Sequence, residues 1–332
     1  MVVPGSELIM AVEAPGVGAG TWAWGNRFLW GYEPERDDPV IEATVAEAVA
    51  AGVRLFDSAD SYGTGAYAGR SERLLGQAIA ALPADQRQGL TVATKLAPFP
   101  WRWGRRGFDR GLAASRARLG GRLDRVQLHW STARYAPWQE GPLLQGLGDL
   151  VEAGVVPELG ISNMGPRRLR RWHGLLQQRG LRISSLQVQF SLLATEPLAP
   201  GGVLEVCREL GIELIAYSPL ALGLLSGRWS LDGPLPSGPR GSLFRRLLPA
   251  LKPLQTLMAE LAARHQISQT ALALSWCRSH GAMPIPGLRR VEQVDAVREA
   301  LGCSLPDNDR RRLDEVAAML KVSMPANPFS SS

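Results

Sequence analysis

The feature that most constrains this chain is an alternation repeated eight times: a short apolar, β-rich run followed by a longer stretch with helical periodicity. The β-rich runs are Gly16 to Gly20, Arg54 to Ser58, Thr91 to Lys95, Arg125 to His129, Glu158 to Ser162, Ser185 to Gln189, Glu213 to Tyr217 and Met283 to Pro286. A helix is expected over Pro39 to Ala51, where Val40, Ile41, Ala43, Thr44, Val45, Ala48 and Val49 supply the apolar positions and Gly52 follows the last turn. Helices over Gly141 to Ala153 and Leu198 to Leu210 stop in the same way, at Gly154 and Gly211, with an apolar strand directly after each. Strand, helix and glycine stop in succession make parallel βαβ units. Eight such units in 332 residues fit one closed α/β barrel of the (β/α)8 type, and no GxGxxG turn follows the first strand as in an open dinucleotide-binding sheet.

In a barrel of this type the chemistry sits at the C-terminal ends of the strands, where the βα loops gather. Asp57 and Tyr62 lie just past the second strand, Lys95 ends the third, and His129 ends the fourth. Each alone is readable as structural: a buried ion pair, a tyrosine packed on a turn, a satisfied core histidine. Four ionisable residues at adjacent strand ends, flanked by Leu55, Phe56, Val92, Ala93, Val126 and Leu128, point instead to a catalytic cluster on one rim.

Composition narrows the class of partner. Apolar residues make up 45% of the chain and charged ones 20%, enough for a large core. The 37 basic and 31 acidic residues are interspersed, giving a net charge of +6. The densest basic spots, Arg167, Arg168, Arg170 and Arg171 and then Arg310, Arg311 and Arg312, fall on helical stretches and read as solvated faces, so no nucleic-acid partner is expected. Cys207, Cys277 and Cys303 are odd in number and far apart, which suits a reducing compartment and neither a disulfide framework nor a metal site. No cationic start with an apolar run and no stretch of about 18 apolar residues is seen, so a soluble cytoplasmic protein without a membrane partner is expected. One domain over 1–332 is anticipated, with residues 1–14 as an N-terminal hairpin, 220–249 as a cofactor-covering loop after strand seven, and 322–332 as a flexible tail.

The motifs FDSADSYGTG (Phe56 to Gly65), GRSERLLG (Gly69 to Gly76), VATK (Val92 to Lys95) and QLHW (Gln127 to Trp130) resemble those of the aldo-keto reductases in sequence and order. So do GISN (Gly160 to Asn163), LQVQFSLL (Leu186 to Leu193), AYSPLALGLLSG (Ala216 to Gly227) and IPG (Ile285 to Gly287), so that the resemblance covers nearly the whole chain. It implies a catalytic tetrad of Asp57, Tyr62, Lys95 and His129 in a reductase that turns an aldehyde or ketone into an alcohol. Tyr62 is then the proton donor, with the Lys95 ammonium expected to lower its pKa, Asp57 holding Lys95, and His129 orienting the carbonyl.

The same resemblance implies NADPH as cofactor. Ser162, Asn163 and Gln187 are expected on the nicotinamide carboxamide and Tyr217 against its ring, with Ser218, Leu220, Gly223, Leu225 and Ser226 on the pyrophosphate. Gly287, Arg289, Gln293 and a second cation, Arg290, are expected around the 2'-phosphate at a helix start. The family commonly carries Glu and Asn where this chain has Ala296 and Val297, which implies weaker adenine recognition with the phosphate clamp retained. Trp22, Trp24, Trp101 and Trp130 are expected to wall a site for an apolar or aromatic carbonyl compound, and likeness to reductases of photosynthetic lineages suggests a pyridoxal-like aldehyde. A monomer acting on a small molecule is expected. The alternative is an NADPH-sensing, channel-associated subunit, a use this superfamily also makes of the barrel.

Overall fold

The computed structural model describes residues 14–327, so the segment expected as an N-terminal hairpin lies almost wholly outside the described residues. Eight strands run parallel in sequence order: β1 (Ala19–Gly20), β2 (Leu55–Asp57), β3 (Thr91–Leu96), β4 (Arg125–Leu128), β5 (Glu158–Ser162), β6 (Ile183–Gln189), β7 (Glu213–Tyr217) and β8 (Ala282–Ile285). A parallel bridge between Gly20 and Gly287, with Gly18 N–H donating to Pro284 O and Gly20 N–H to Pro286 O at 2.9 Å each, closes the sheet into a (β/α)8 barrel. On the β1 side of this seam space is short: a Cβ on Gly18 would lie 2.8 Å from Ile285 Cγ2, and one on Gly20 3.1 Å from Ile285 O.

All eight expected strands form, and the corrections concern the helices. The first long helix spans Pro34–Ala50 and carries Pro39 inside it, because Pro34 already supplies the N-terminal proline. The helix expected over Leu198 to Leu210 breaks into a short turn, Glu196–Leu198, and a helix, Val203–Leu210, separated by Ala199, Pro200, Gly201 and Gly202. The loop after β7 is also more ordered than its composition suggests. It contains a 3-10 segment, Ala221–Ser226, and a helix, Gly238–Leu247, whose Gly241, Phe244 and Leu247 are buried at helical spacing.

The main core fills the annulus between barrel and helices, where side chains such as Phe56, Leu128, Ile161 and Leu186 are lost to water. Each contributes about 1.5–3 kcal/mol on burial. A smaller cluster of Leu55, Ala93, Ile215 and Ile285 fills the barrel's own interior. Below it, at the N-terminal strand ends, Arg125 bonds Glu158 at 2.6 Å and Glu213 at 2.7 Å, joining β4, β5 and β7 across the floor. Among the described residues, no helix is long and apolar enough to cross a membrane.

Candidate active site

Alternation along the strands decides which residues look into the mouth. Lys95 is registered against Gln127 on the neighbouring strand, and Asp57 ends β2 beside them. Lys95 Nζ donates to Asp57 Oδ2 and, at 2.8 Å, to Ser58 O, while Asp57 Oδ1 accepts from Gln127 Nε2 at 2.8 Å. Asp57 and Lys95 are each 1% exposed. Tyr62 follows β2 on a turn fixed by Gly63, where φ is +97° and a Cβ would lie 1.9 Å from Tyr67 O. The turn brings the Tyr62 ring to 5.0 Å from Lys95 Nζ and its centroid to 5.7 Å from that of His129. The four residues expected as a tetrad therefore share one mouth. Gln127, which bonds Asp57, was not singled out from sequence, although it lies two residues from His129 and hence on the same strand face.

Burial lowers the affinity of Lys95 for its proton, but Asp57 and Tyr62 beside it outweigh that effect and hold the ammonium above its ordinary value. Burial also pushes the Tyr62 phenol up; Lys95 opposes this and Asp57 adds to it, leaving the phenol above 10.0. A neighbouring ammonium alone was expected to lower it, so desolvation wins here. Burial, reinforced by Lys95, drives His129 well below 6.5, which leaves the imidazole neutral at neutral pH. Its Nδ1 lies 3.3 Å from Ser61 Oγ.

Beside the tetrad, Ser162, Asn163, Gln187 and Tyr217 meet at the ends of β5, β6 and β7. Ser162 Oγ donates to Gln187 O at 3.0 Å, and Asn163 Nδ2 donates to Ser162 Oγ at 3.0 Å and to His129 O at 3.1 Å. Tyr217 Oη donates to Asn163 Oδ1 at 2.9 Å. Gln187 Nε2 is buried with no hydrogen-bond partner. An orphaned donor of this kind is costly unless a ligand supplies an acceptor.

The segment after β7 holds unusual backbone. Ser218, Ala221 and Leu222 have positive φ, as does Gly223 at 102°, a concentration of strain of the kind found at ligand-binding turns. Leu225 N–H donates to Leu220 O at 3.2 Å and Ser226 Oγ to Gly223 O at 2.7 Å. Sequence reasoning missed Arg240, whose guanidinium lies 4.4 Å from the Trp30 ring and 5.9 Å from that of Trp229, with Nε buried and unpartnered. An arginine in a Gly/Pro-rich stretch gives no signal of its own.

After β8, Gly287 is exposed, and Arg289 donates to Trp30 O at 3.0 Å and lies 3.6 Å from Asp37. Gln293 Oε1 accepts from the N–H groups of Arg289 at 2.7 Å and Arg290 at 3.0 Å, so two of the backbone donors expected for a phosphate are taken up locally. Val297 is fully buried in the core, whereas Ala296 is half-buried.

Of the expected aromatic wall, Trp130 lies beside the tetrad, its ring 4.8 Å from His129 and 6.2 Å from Phe99. Trp101, largely exposed, stacks on Phe99 at 4.8 Å, and Trp22 meets Trp30 edge-on at 6.2 Å. Trp24 departs from the expectation: it is 1% exposed, with Nε1 donating to Leu288 O at 2.7 Å, and so packs in the core instead of facing a substrate.

Comparison with known proteins agrees with this geometry. Residues 16–318 match the model of the Aldo/keto reductase family. The chain is 43% identical over 327 residues to the chloroplastic pyridoxal reductase of Arabidopsis thaliana, covering 95% of this chain and 86% of that protein. It is 30% identical over 333 residues to the NADH-specific methylglyoxal reductase of Escherichia coli, covering 92% and 95% respectively. The glycerol dehydrogenase of Gluconobacter oxydans shares its fold, with a TM-score of 0.74 at 24% identity over 97% of this chain and 98% of that one. A family match over nearly the whole barrel, on a chain whose mouth gathers these four groups, makes this protein a member of the aldo-keto reductases, a family of oxidoreductases.

Proposed function

We propose that the protein reduces the carbonyl of an aldehyde or ketone to an alcohol, with NADPH as reductant and Tyr62 as general acid. The observation that carries this reading is the convergence of Tyr62, Lys95, Asp57 and His129 at one mouth. The fit to a nicotinamide rests on the unpartnered Gln187 Nε2 beside Ser162 and Asn163, which a carboxamide oxygen would satisfy, with the Tyr217 ring adjacent. Bound NADPH supplies the hydride. With Ser61 Oγ donating to Nδ1, the neutral His129 carries its proton on Nε2 and offers it in a hydrogen bond to the substrate carbonyl. The raised pKa of Tyr62 keeps the phenol protonated until the oxygen acquires charge, and Lys95 then stabilises the phenolate left behind. Asp57 and Gln127 hold Lys95 and each other in line.

The segment 220–249 covers the cofactor in this reading, with Arg240 and the strained turn around Gly223 on the pyrophosphate and Arg289 on the 2'-phosphate. Trp22, Trp101 and Trp130 favour an aromatic aldehyde, and the pyridoxal reductase of Arabidopsis supports one of pyridoxal type. The three cysteines are free, which suits work in a reducing compartment such as the cytoplasm. Replacing Tyr62 by Phe is expected to abolish NADPH-dependent aldehyde reduction, followed at the nicotinamide absorbance band, while fluorescence titration still shows NADPH bound. Full turnover in Tyr62→Phe removes the mechanism, and tighter binding of NADH than NADPH removes the cofactor assignment.

A further inference from the structure

The segment after the last helix, expected as part of a loose tail, is tied down at Met324 and at Asn327 among the described residues. Met324 N–H donates to Leu193 O at 2.7 Å, and Asn327 Nδ2 donates to Tyr217 Oη at 3.0 Å. Between these anchors the tail roofs a cavity of about 390 Å³, whose apolar walls include Met164, Val188, Ala194 and Val203 and which Tyr217 and Asn163 also line. None of Tyr62, Lys95, His129, Ser162 or Gln187 reaches this cavity, so it lies apart from the tetrad and the orphaned amide.

The cavity bears directly on how Tyr217 is held. An aromatic ring in a protein interior normally keeps its orientation through close packing on all sides. Tyr217 packs on the interior cluster of Leu55, Ala93, Ile215 and Ile285 and borders this cavity on another side, so toward the cavity its orientation is held by the bonds at its hydroxyl. There are two: Tyr217 Oη donates to Asn163 Oδ1 and accepts from Asn327 Nδ2. Through Asn163 Nδ2 the chain of bonds continues to Ser162 Oγ and to the backbone carbonyl of His129. A tail residue is thereby wired to the side chains proposed to hold the nicotinamide and to the strand end that carries His129.

We infer that Asn327 is a positioning residue of this enzyme: it fixes the Tyr217 ring from the cavity side and so sets the plane against which the nicotinamide rests. The inference rests on the NADPH assignment proposed above and names the residue that tunes it. Tyr217 and Asn327 need each other for this role, whereas a merely structural tail contact would act on stability alone.

A double-mutant cycle tests it, read as NADPH dissociation constants from fluorescence titration of Asn327→Ala, Tyr217→Phe and the pair. Loss of the bond between Asn327 and Tyr217 predicts binding weaker by roughly 3- to 10-fold in Asn327→Ala, a similar loss in Tyr217→Phe, and little further loss in the double variant. Asn327→Gln, which keeps the donor, is expected to recover part of the affinity. In Asn327→Ala the primary isotope effect on kcat, measured with NADPH deuterated at the transferred hydrogen, should rise as hydride transfer becomes more rate-limiting. Wild-type affinity and isotope effect in a folded Asn327→Ala overturn the inference, as do fully additive losses in the pair. Failure of the NADPH reading itself shows separately, as absent or non-saturable NADPH binding in the wild-type protein.

Discussion

Asp57 and Lys95 are so thoroughly removed from water that neither can be changed without consequence for the other. Lys95→Met leaves the Asp57 carboxylate buried with only the Gln127 amide beside it, and breaking a buried pair in this way costs about 3–5 kcal/mol. Adding Asp57→Asn removes the stranded charge. The double variant is therefore expected to regain most of the lost stability in urea denaturation while remaining inactive, separating the pair's structural role from the catalytic one proposed for it. These positions were legible from sequence only as a set, because each alone reads as structural while four ionisable groups at adjacent strand ends do not. Gln127 was not, since an amide carries no charge to mark it, and Trp24 was misread because a tryptophan two residues from Trp22 looks the same in a string whether it faces the mouth or the core.

At the scale of elements, the segment after β7 shows where sequence patterns lose their hold. Its glycines and prolines masked the helix Gly238–Leu247, and nothing in the string foretold left-handed backbone at Ser218, Ala221 and Leu222, which no glycine marks. Arg240 on this helix lies over the Trp30 ring, so its guanidinium helps fasten the helix to the loop after β1. Attraction to the ring is set against the cost of a buried, unpartnered Nε. Arg240→Met should consequently change the stability of the cofactor-free protein by less than about 1 kcal/mol, yet weaken NADPH binding about 10-fold through loss of an anion partner. Thermal melting and fluorescence titration of one preparation measure both. Arg240→Lys is expected to restore little, because an ammonium lacks the flat face that lies on Trp30.

The molecule as a whole divides its labour between its two ends. The mouth carries the orphaned Gln187 amide, the strained turn and the perturbed tetrad, whereas at the floor Arg125 bonds both Glu158 and Glu213. Removal of Arg125 should therefore cost stability without touching chemistry. Arg125→Met is expected to lose about 1–3 kcal/mol in urea denaturation, because both carboxylates keep some access to water, with kcat unchanged within a factor of about 2. The barrel itself was the most legible level of all. Its eight strands and glycine stops are set by local periodicity, which a string displays directly, whereas the tail's hold on Tyr217 joins residues 110 positions apart and leaves no local trace.

The way the sheet closes carries a consequence for synthesis of the chain. Because β1 finds its second neighbour only in β8, a polypeptide emerging from the ribosome holds every residue of the tetrad long before the ring can shut. Until the stretch through Gly287 has been made, β1 and β7 each present an open backbone edge able to recruit a foreign strand. The last edge of the sheet to be covered is thus made well after the residues of the mouth, not together with them.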